Sequence, residues 1–219
     1  MKKTLIFLVI ICAVLWQVQT GHAIHRTYSS RTGRKTPAQC QELNIDVQGH
    51  SSLQTISLPP SSKCSLNNRD GFLLPDPKCT PGAINPTLTL DVLKDPQFTT
   101  KCVRDKATTA QEKFVTYRWY GLNKPAGNTG QNQVCELDHL VSLELGGADT
   151  LDNLWPQCGP SHVELQERFF KRKDTVENYL AREVRNGNMS LTSAQKGIAK
   201  DWTQYLQDAE SACPNGRCR

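Results

Sequence analysis

The residues of this sequence best suited to chemistry lie between Cys135 and His162. Asp138 stands beside His139, Gly146-Gly147 follow, Asn153 comes 14 residues after His139, and His162 comes nine residues after Asn153. A carboxylate, an amide and two imidazoles therefore fall within one stretch the length of a strand–turn–strand–helix unit. Hydrolysis of a phosphodiester asks for this set. The attacking water must lose a proton, and an imidazole, with an ordinary pKa of about 6.5, takes it near neutral pH. Charge grows on the phosphoryl and leaving oxygens, and a divalent cation absorbs it. A carboxylate such as Asp138 suits Mg2+ or Ca2+, and an imidazole widens the choice to Mn2+ or Zn2+. An isolated Asp-His pair would carry little weight. Here, two of the four histidines beyond residue 23 fall within this one stretch.

The run resembles the HNH, or His-Me finger, nuclease family through Asp138-His139, Gly146-Gly147, Asn153-Leu154 and His162. It is most similar to a subgroup of small exported HNH proteins. These share a D-H-x-x-x-L-E-L-G-G…N-L-W-P-Q run and a later K-D-x-x-E-N, present here as Lys173, Asp174, Glu177 and Asn178. The stretch Asp76-Pro77-Lys78-Cys79-Thr80-Pro81-Gly82 to Pro86 also resembles that subgroup, and the likeness covers about residues 75–206. The resemblance implies that His139 is a general base, that Asp138 ligates one divalent ion, and that Asn153 braces the hairpin loop and orients His139. It implies His162 as the second ligand; Glu177, on the following helix, is the next candidate should His162 not bind the ion. The chain departs from the pattern around His162, whose loop varies in length among such proteins, and Lys171 stands where some of them carry His.

These side chains need a scaffold. Leu137, Val141, Leu143 and Leu145 recur with a period of two, which predicts a strand over 134–145. A short return strand is expected near Asn153 to Trp155, then a helix from His162 to Val184 and another opening at Thr192 with Gln195 in capping-box spacing. A further helix is expected over 110–121, stopped at Gly121. The fold class that follows is α+β, mainly helical, with one small β-hairpin forming a ββα-metal (HNH) site. Strict alternation sends Asp138 and His139 to opposite faces, so a shared site calls for a twist or bulge.

Arg168, Lys171 and Arg172 share one helical face, with Lys173 beside them, and are the expected contacts to substrate phosphates. The other reading is a solvated face opposite Phe169 and Phe170.

Residues 1–23 have the pattern of a signal peptide: Lys2-Lys3, an apolar run from Leu5 to Trp16, and small residues before cleavage after Ala23. Eight cysteines follow, an even set without a C-x-x-C pair, which points to disulfides rather than a zinc clamp. Cys135 and Cys158 flank the hairpin and could staple it. Residues 24–74 are a Ser- and Pro-rich irregular leader with Cys40 and Cys64, 75–212 the nuclease-like domain, and 213–219 a tail that Cys213 and Cys218 could close. The formal charge of +5 falls to +3 once Lys2 and Lys3 are gone, which permits a polyanionic partner without demanding one.

The expected function is metal-dependent endonucleolytic cleavage of DNA, with RNA as the open alternative, in a secreted or periplasmic setting. Little sequence preference is expected, since no base-reading helix is evident. No membrane association is expected after cleavage, and no protein partner can be named. Two rivals stand beside it: a catalytically inactive binding module on the HNH scaffold, and a structural, disulfide-rich exported protein.

Overall fold

A computed structural model describes residues 38–47, 63–104 and 115–218. The signal-like segment, most of the irregular leader, and the first part of the helix expected over 110–121 lie outside these residues. Within them the chain is α+β. It carries two small antiparallel hairpins, β1 (Asn67–Arg69) with β2 (Phe72–Leu74) and β3 (Cys135–His139) with β4 (Leu154–Cys158). The helices are α1 (Leu90–Lys94), α2 (Val115–Trp119), α3 (Phe169–Arg185), α4 (Leu191–Asp201) and α5 (Leu206–Ala212).

The β3–β4 ribbon pairs one to one, Cys135 with Cys158 through His139 with Leu154, without a bulge. Pro156 sits opposite Leu137 in this ribbon. It is tolerated because a two-stranded sheet has only edges, so its missing N–H need break no ladder. The return strand is thus longer than the sequence suggests. Between the strands the chain folds into tight turns, including Leu143–Leu145 and Leu151–Asn153. Gly147 is required there: a Cβ on it would stand 1.9 Å from the Val141 carbonyl oxygen and 2.9 Å from the Asn153 amide nitrogen.

The helix expected from His162 begins only at Phe169. The Val163 carbonyl is taken by the Arg168 guanidinium at 3.4 Å, and the Phe169 N–H is given to Gly159 O at 3.0 Å, so the intervening residues remain turns. α3 buries Phe170, Val176, Leu180, Ala181 and Val184 along one stripe. That stripe meets Val141, Leu145, Ala194, Ile198, Trp202 and Leu206 in the main core. α4 is capped by Ser190, which accepts from the Ser193 N–H at 3.1 Å. The expected Thr192–Gln195 box does not form, because Gln195 instead donates to the Leu145 carbonyl at 2.8 Å.

Four disulfides join Cys40–Cys102, Cys64–Cys79, Cys135–Cys158 and Cys213–Cys218. Such a set fits an oxidising compartment. Two of them tie the leader's cysteines into the domain. Leu74 lies in the main core, and Trp202 donates to the Leu73 carbonyl at 3.1 Å. Packing therefore begins before residue 75. Among the described residues no helix is long and apolar enough to cross a membrane.

Candidate active site

A cleft of about 340 Å³ opens where β3, the turns after it and α3 meet. β3 lends Glu136, Asp138 and His139; the turns lend Ser142 and Glu144; α3 lends Asp174, Glu177 and Asn178; Thr100 and Arg104 also line it. Asp138 and His139 thus face one cavity without a bulge. His139 is the last strand residue, and the chain turns away immediately after it.

The loop after His139 is held by Asn153. Its side-chain oxygen accepts from Val141 N–H at 2.9 Å, and its amide nitrogen donates to the carbonyls of Val141 and Ala148, both at 2.8 Å. Leu140 N–H also donates to the Asn153 backbone carbonyl at 2.8 Å. Asn153 is fully buried, so these bonds have no water to compete with them.

His139 places Nε2 2.8 Å from Asp149 Oδ1. Burial lowers its pKa below the usual imidazole value, with Arg104 adding to the effect while Asp149 and Asp138 oppose it. The ring is therefore held neutral. With Nε2–H donated to the Asp149 carboxylate, Nδ1 is the nitrogen free of a proton.

Lys173 does not line the cleft but is completely buried against two of its carboxylates, Asp138 and Glu177. Its ammonium donates to the His139 carbonyl at 2.6 Å and to Glu177 Oε1, and it lies 2.8 Å from Asp138 Oδ2. The contact with Asp138 is an ion pair rather than an aligned hydrogen bond. Burial opposes the charge on Lys173, but Asp138 and Glu177 outweigh it and raise its pKa.

The carboxylates around it are crowded. Burial, with Asp138 and Asp174 nearby, pushes Glu136 up to about 7. Burial likewise raises Glu144, Asp174 and Glu177 above the ordinary carboxylate range. In all four, burial is the first cause, and a neighbouring carboxylate adds to it while a lysine or arginine opposes it.

His162 does not join this group. It is exposed in the turn after β4 and does not line the cleft. The delayed start of α3 accounts for this, since the part of the helix that meets the cleft begins with Asp174. The expected phosphate contacts are also engaged elsewhere. The Arg168 guanidinium is buried and donates to the carbonyls of Gln133, Gln131 and Val163. Lys171 pairs with Asp174 at 2.8 Å, and Arg172 pairs with Glu210 at 2.6 Å while lying 4.8 Å over the Phe72 ring. Lys173 is an interior ammonium, not a surface one.

Sequence reasoning missed Arg104, Ser142 and Asp149. Glu136 and Glu144 stand in its key run without a role, and so do Asp174 and Asn178 in theirs. Their spacing with Glu177, i, i+3 and i+4 on one helix, was the signal available for one shared face.

Among the described residues no three His, Cys, Asp or Glu side chains converge tightly enough to enclose a metal ion. The donors nonetheless suit a hard divalent cation in kind, being carboxylate oxygens gathered in one cleft. No protein-family model matches this chain, and no curated protein or solved structure matches it either.

Proposed function

We propose that the chain is an exported, metal-dependent endonuclease of the HNH type, hydrolysing phosphodiester bonds of DNA or RNA. One observation carries the reading: Asp138, a neutral His139 and the α3 residues Asp174, Glu177 and Asn178 line one cleft, beside a loop braced by Asn153. The chemistry follows from the ring's protonation. His139 Nδ1 accepts the proton of the attacking water, while Asp149 stabilises the imidazolium that forms. Asn153 keeps the loop that joins His139 to Asp149 in register. Asp138, with Glu177 in the role first expected of His162, would hold one ion of Mg2+, Mn2+, Ca2+ or Zn2+. When bound, such an ion supplies positive charge for the phosphoryl oxygens.

A second reading, an inactive binding module on the same scaffold, draws on Lys173. Its ammonium already engages Asp138 and Glu177, the two carboxylates best suited to the ion. Plasmid nicking by the exported protein distinguishes the two. The nuclease reading expects cleavage with at least one of the four ions, loss of cleavage with EDTA, and loss in His139→Ala. No cleavage of DNA or RNA with any of these ions overturns it.

A further inference from the structure

The cleft is lined by several carboxylates and, among the described residues, by one cation that pairs with none of them. That cation, Arg104, is exposed, and among the described residues it makes no ion pair. Lys171 and Lys173 nearby are each bound to carboxylates, and Arg185 stands 3.9 Å from Glu144. The backbone mounting of Arg104 is fixed. Cys102, two residues earlier, is disulfide-bonded to Cys40, and Val103 is buried.

A second, independent feature lies in the same cleft. Ser142 is 3% exposed and lines the cavity, but its Oγ has no hydrogen-bond partner. A buried hydroxyl without a partner costs free energy, about 1–3 kcal/mol. In a folded chain such a group calls for a ligand or ordered water to complete it. Leu143, the next residue, packs in the same small core as Cys102 and Val103. The guanidinium and the hydroxyl are therefore carried by neighbouring parts of one rigid patch.

We propose that Arg104 and Ser142 form an anion subsite that takes a phosphate group of the substrate across the cleft from His139. The guanidinium offers paired N–H donors and a permanent charge, and the serine O–H completes the set. This assignment deepens the phosphodiester reading and rests on it for the identity of the substrate, but binding can be measured without cleavage.

The test titrates the full exported chain with inorganic phosphate in EDTA, following the His139 ring-proton NMR signals. Wild-type protein should show a saturable shift. Arg104→Gln should weaken binding about tenfold or more, the loss expected for a hydrogen bond to a charged group. Ser142→Ala should weaken it several-fold, with Tm no lower than wild type because the hydroxyl removed has no partner. Arg172→Gln, whose charge faces Glu210, should bind phosphate like wild type. No shift in wild-type protein, or equal affinity in Arg104→Gln, overturns the subsite. Cleavage assays separate the two ideas. If wild type cleaves DNA and Arg104→Gln leaves KM unchanged, the subsite fails and the nuclease reading stands. If phosphate binding depends on Arg104 but no nucleic acid is cleaved, the subsite stands and the nuclease reading fails.

Discussion

Asp149 holds His139 by a single nitrogen, with Nε2 2.8 Å from Oδ1, and the pair spans the Asn153-braced loop from strand end to turn. The carboxylate decides which nitrogen carries the ring proton. Asp149→Asn keeps the size but lets an amide N–H donate to Nε2, which moves the ring proton to Nδ1. Initial rates of plasmid nicking should then fall about 10²-fold or more, the scale of losing a positioned general base. Circular dichroism and Tm should show an intact fold. An unchanged rate would remove Nδ1 from the role of base.

Lys173 makes the largest stability prediction. Removing one partner of a buried ionic group costs about 3–5 kcal/mol, because the other charges are left buried and unpaired. Lys173→Met keeps the stem but strands Asp138, Glu177 and the His139 carbonyl. Guanidinium denaturation should show a loss on that scale. Lys171→Met, at a half-exposed pair with Asp174, should cost under about 1 kcal/mol. Equal losses for the two variants would contradict the distinction between an interior and a surface ammonium.

These two side chains show what the sequence could and could not reveal. Asp138, His139 and Asn153 were legible because a hairpin fixes what lies near its own turn, and the glycines and the Asn announce that turn. The α3 stripe was legible for the same local reason, through its helical period. His162 lies off the cleft because α3 starts late: Arg168 bonds the Val163 carbonyl within the turn and also reaches the Gln131 and Gln133 carbonyls. Nothing local to residues 162–168 announces those last two bonds, to partners 37 and 35 residues away. Lys173 looked like a surface cation because Lys usually is one, and only the positions of Asp138 and Glu177 explain its burial. Arg104 and Ser142 are 38 residues apart and belong to no shared motif. Their meeting depends on the Cys40–Cys102 and Leu143 packing, which spacing does not encode.

The cleft should also give the protein a pH-dependent stability. Glu136 rises from an ordinary 4.5 to about 7, first through burial and then through Asp138 and Asp174. A carboxyl whose folded pKa is raised binds its proton more tightly in the folded state. Its contribution is thus fully present below the unfolded value and lost as pH climbs through the folded one. In EDTA, Tm should decline between about pH 5 and about pH 8 through this group. Glu136→Gln should match wild type near pH 5 and exceed it near pH 8, when followed by thermal unfolding at fixed ionic strength. The same offset at both pH values would mean that Glu136 is ionised throughout.

The disulfide between directly opposed strand residues provides the last prediction. Cys135 and Cys158 face each other in the β3–β4 register and close a loop 23 residues long. That loop contains Asp138, His139, Asp149 and Asn153, so the bond confines most of the proposed chemistry in the unfolded chain as well as the folded one. Loop-closure entropy for this length corresponds to about 3 kcal/mol. The double variant Cys135→Ser, Cys158→Ser should lose stability on that scale, more than Cys213→Ser, Cys218→Ser, whose separation is five residues. Activity should respond differently from stability. Once the variant is folded, Asn153 still clasps Val141 and Ala148, so cleavage at low temperature should persist and fail early on warming. Thiol alkylation of the denatured, unreduced protein should find none of the eight cysteines beyond residue 23 free. Alkylation of Cys135 and Cys158 in active protein would show that the hairpin holds its register by Asn153 and the core alone.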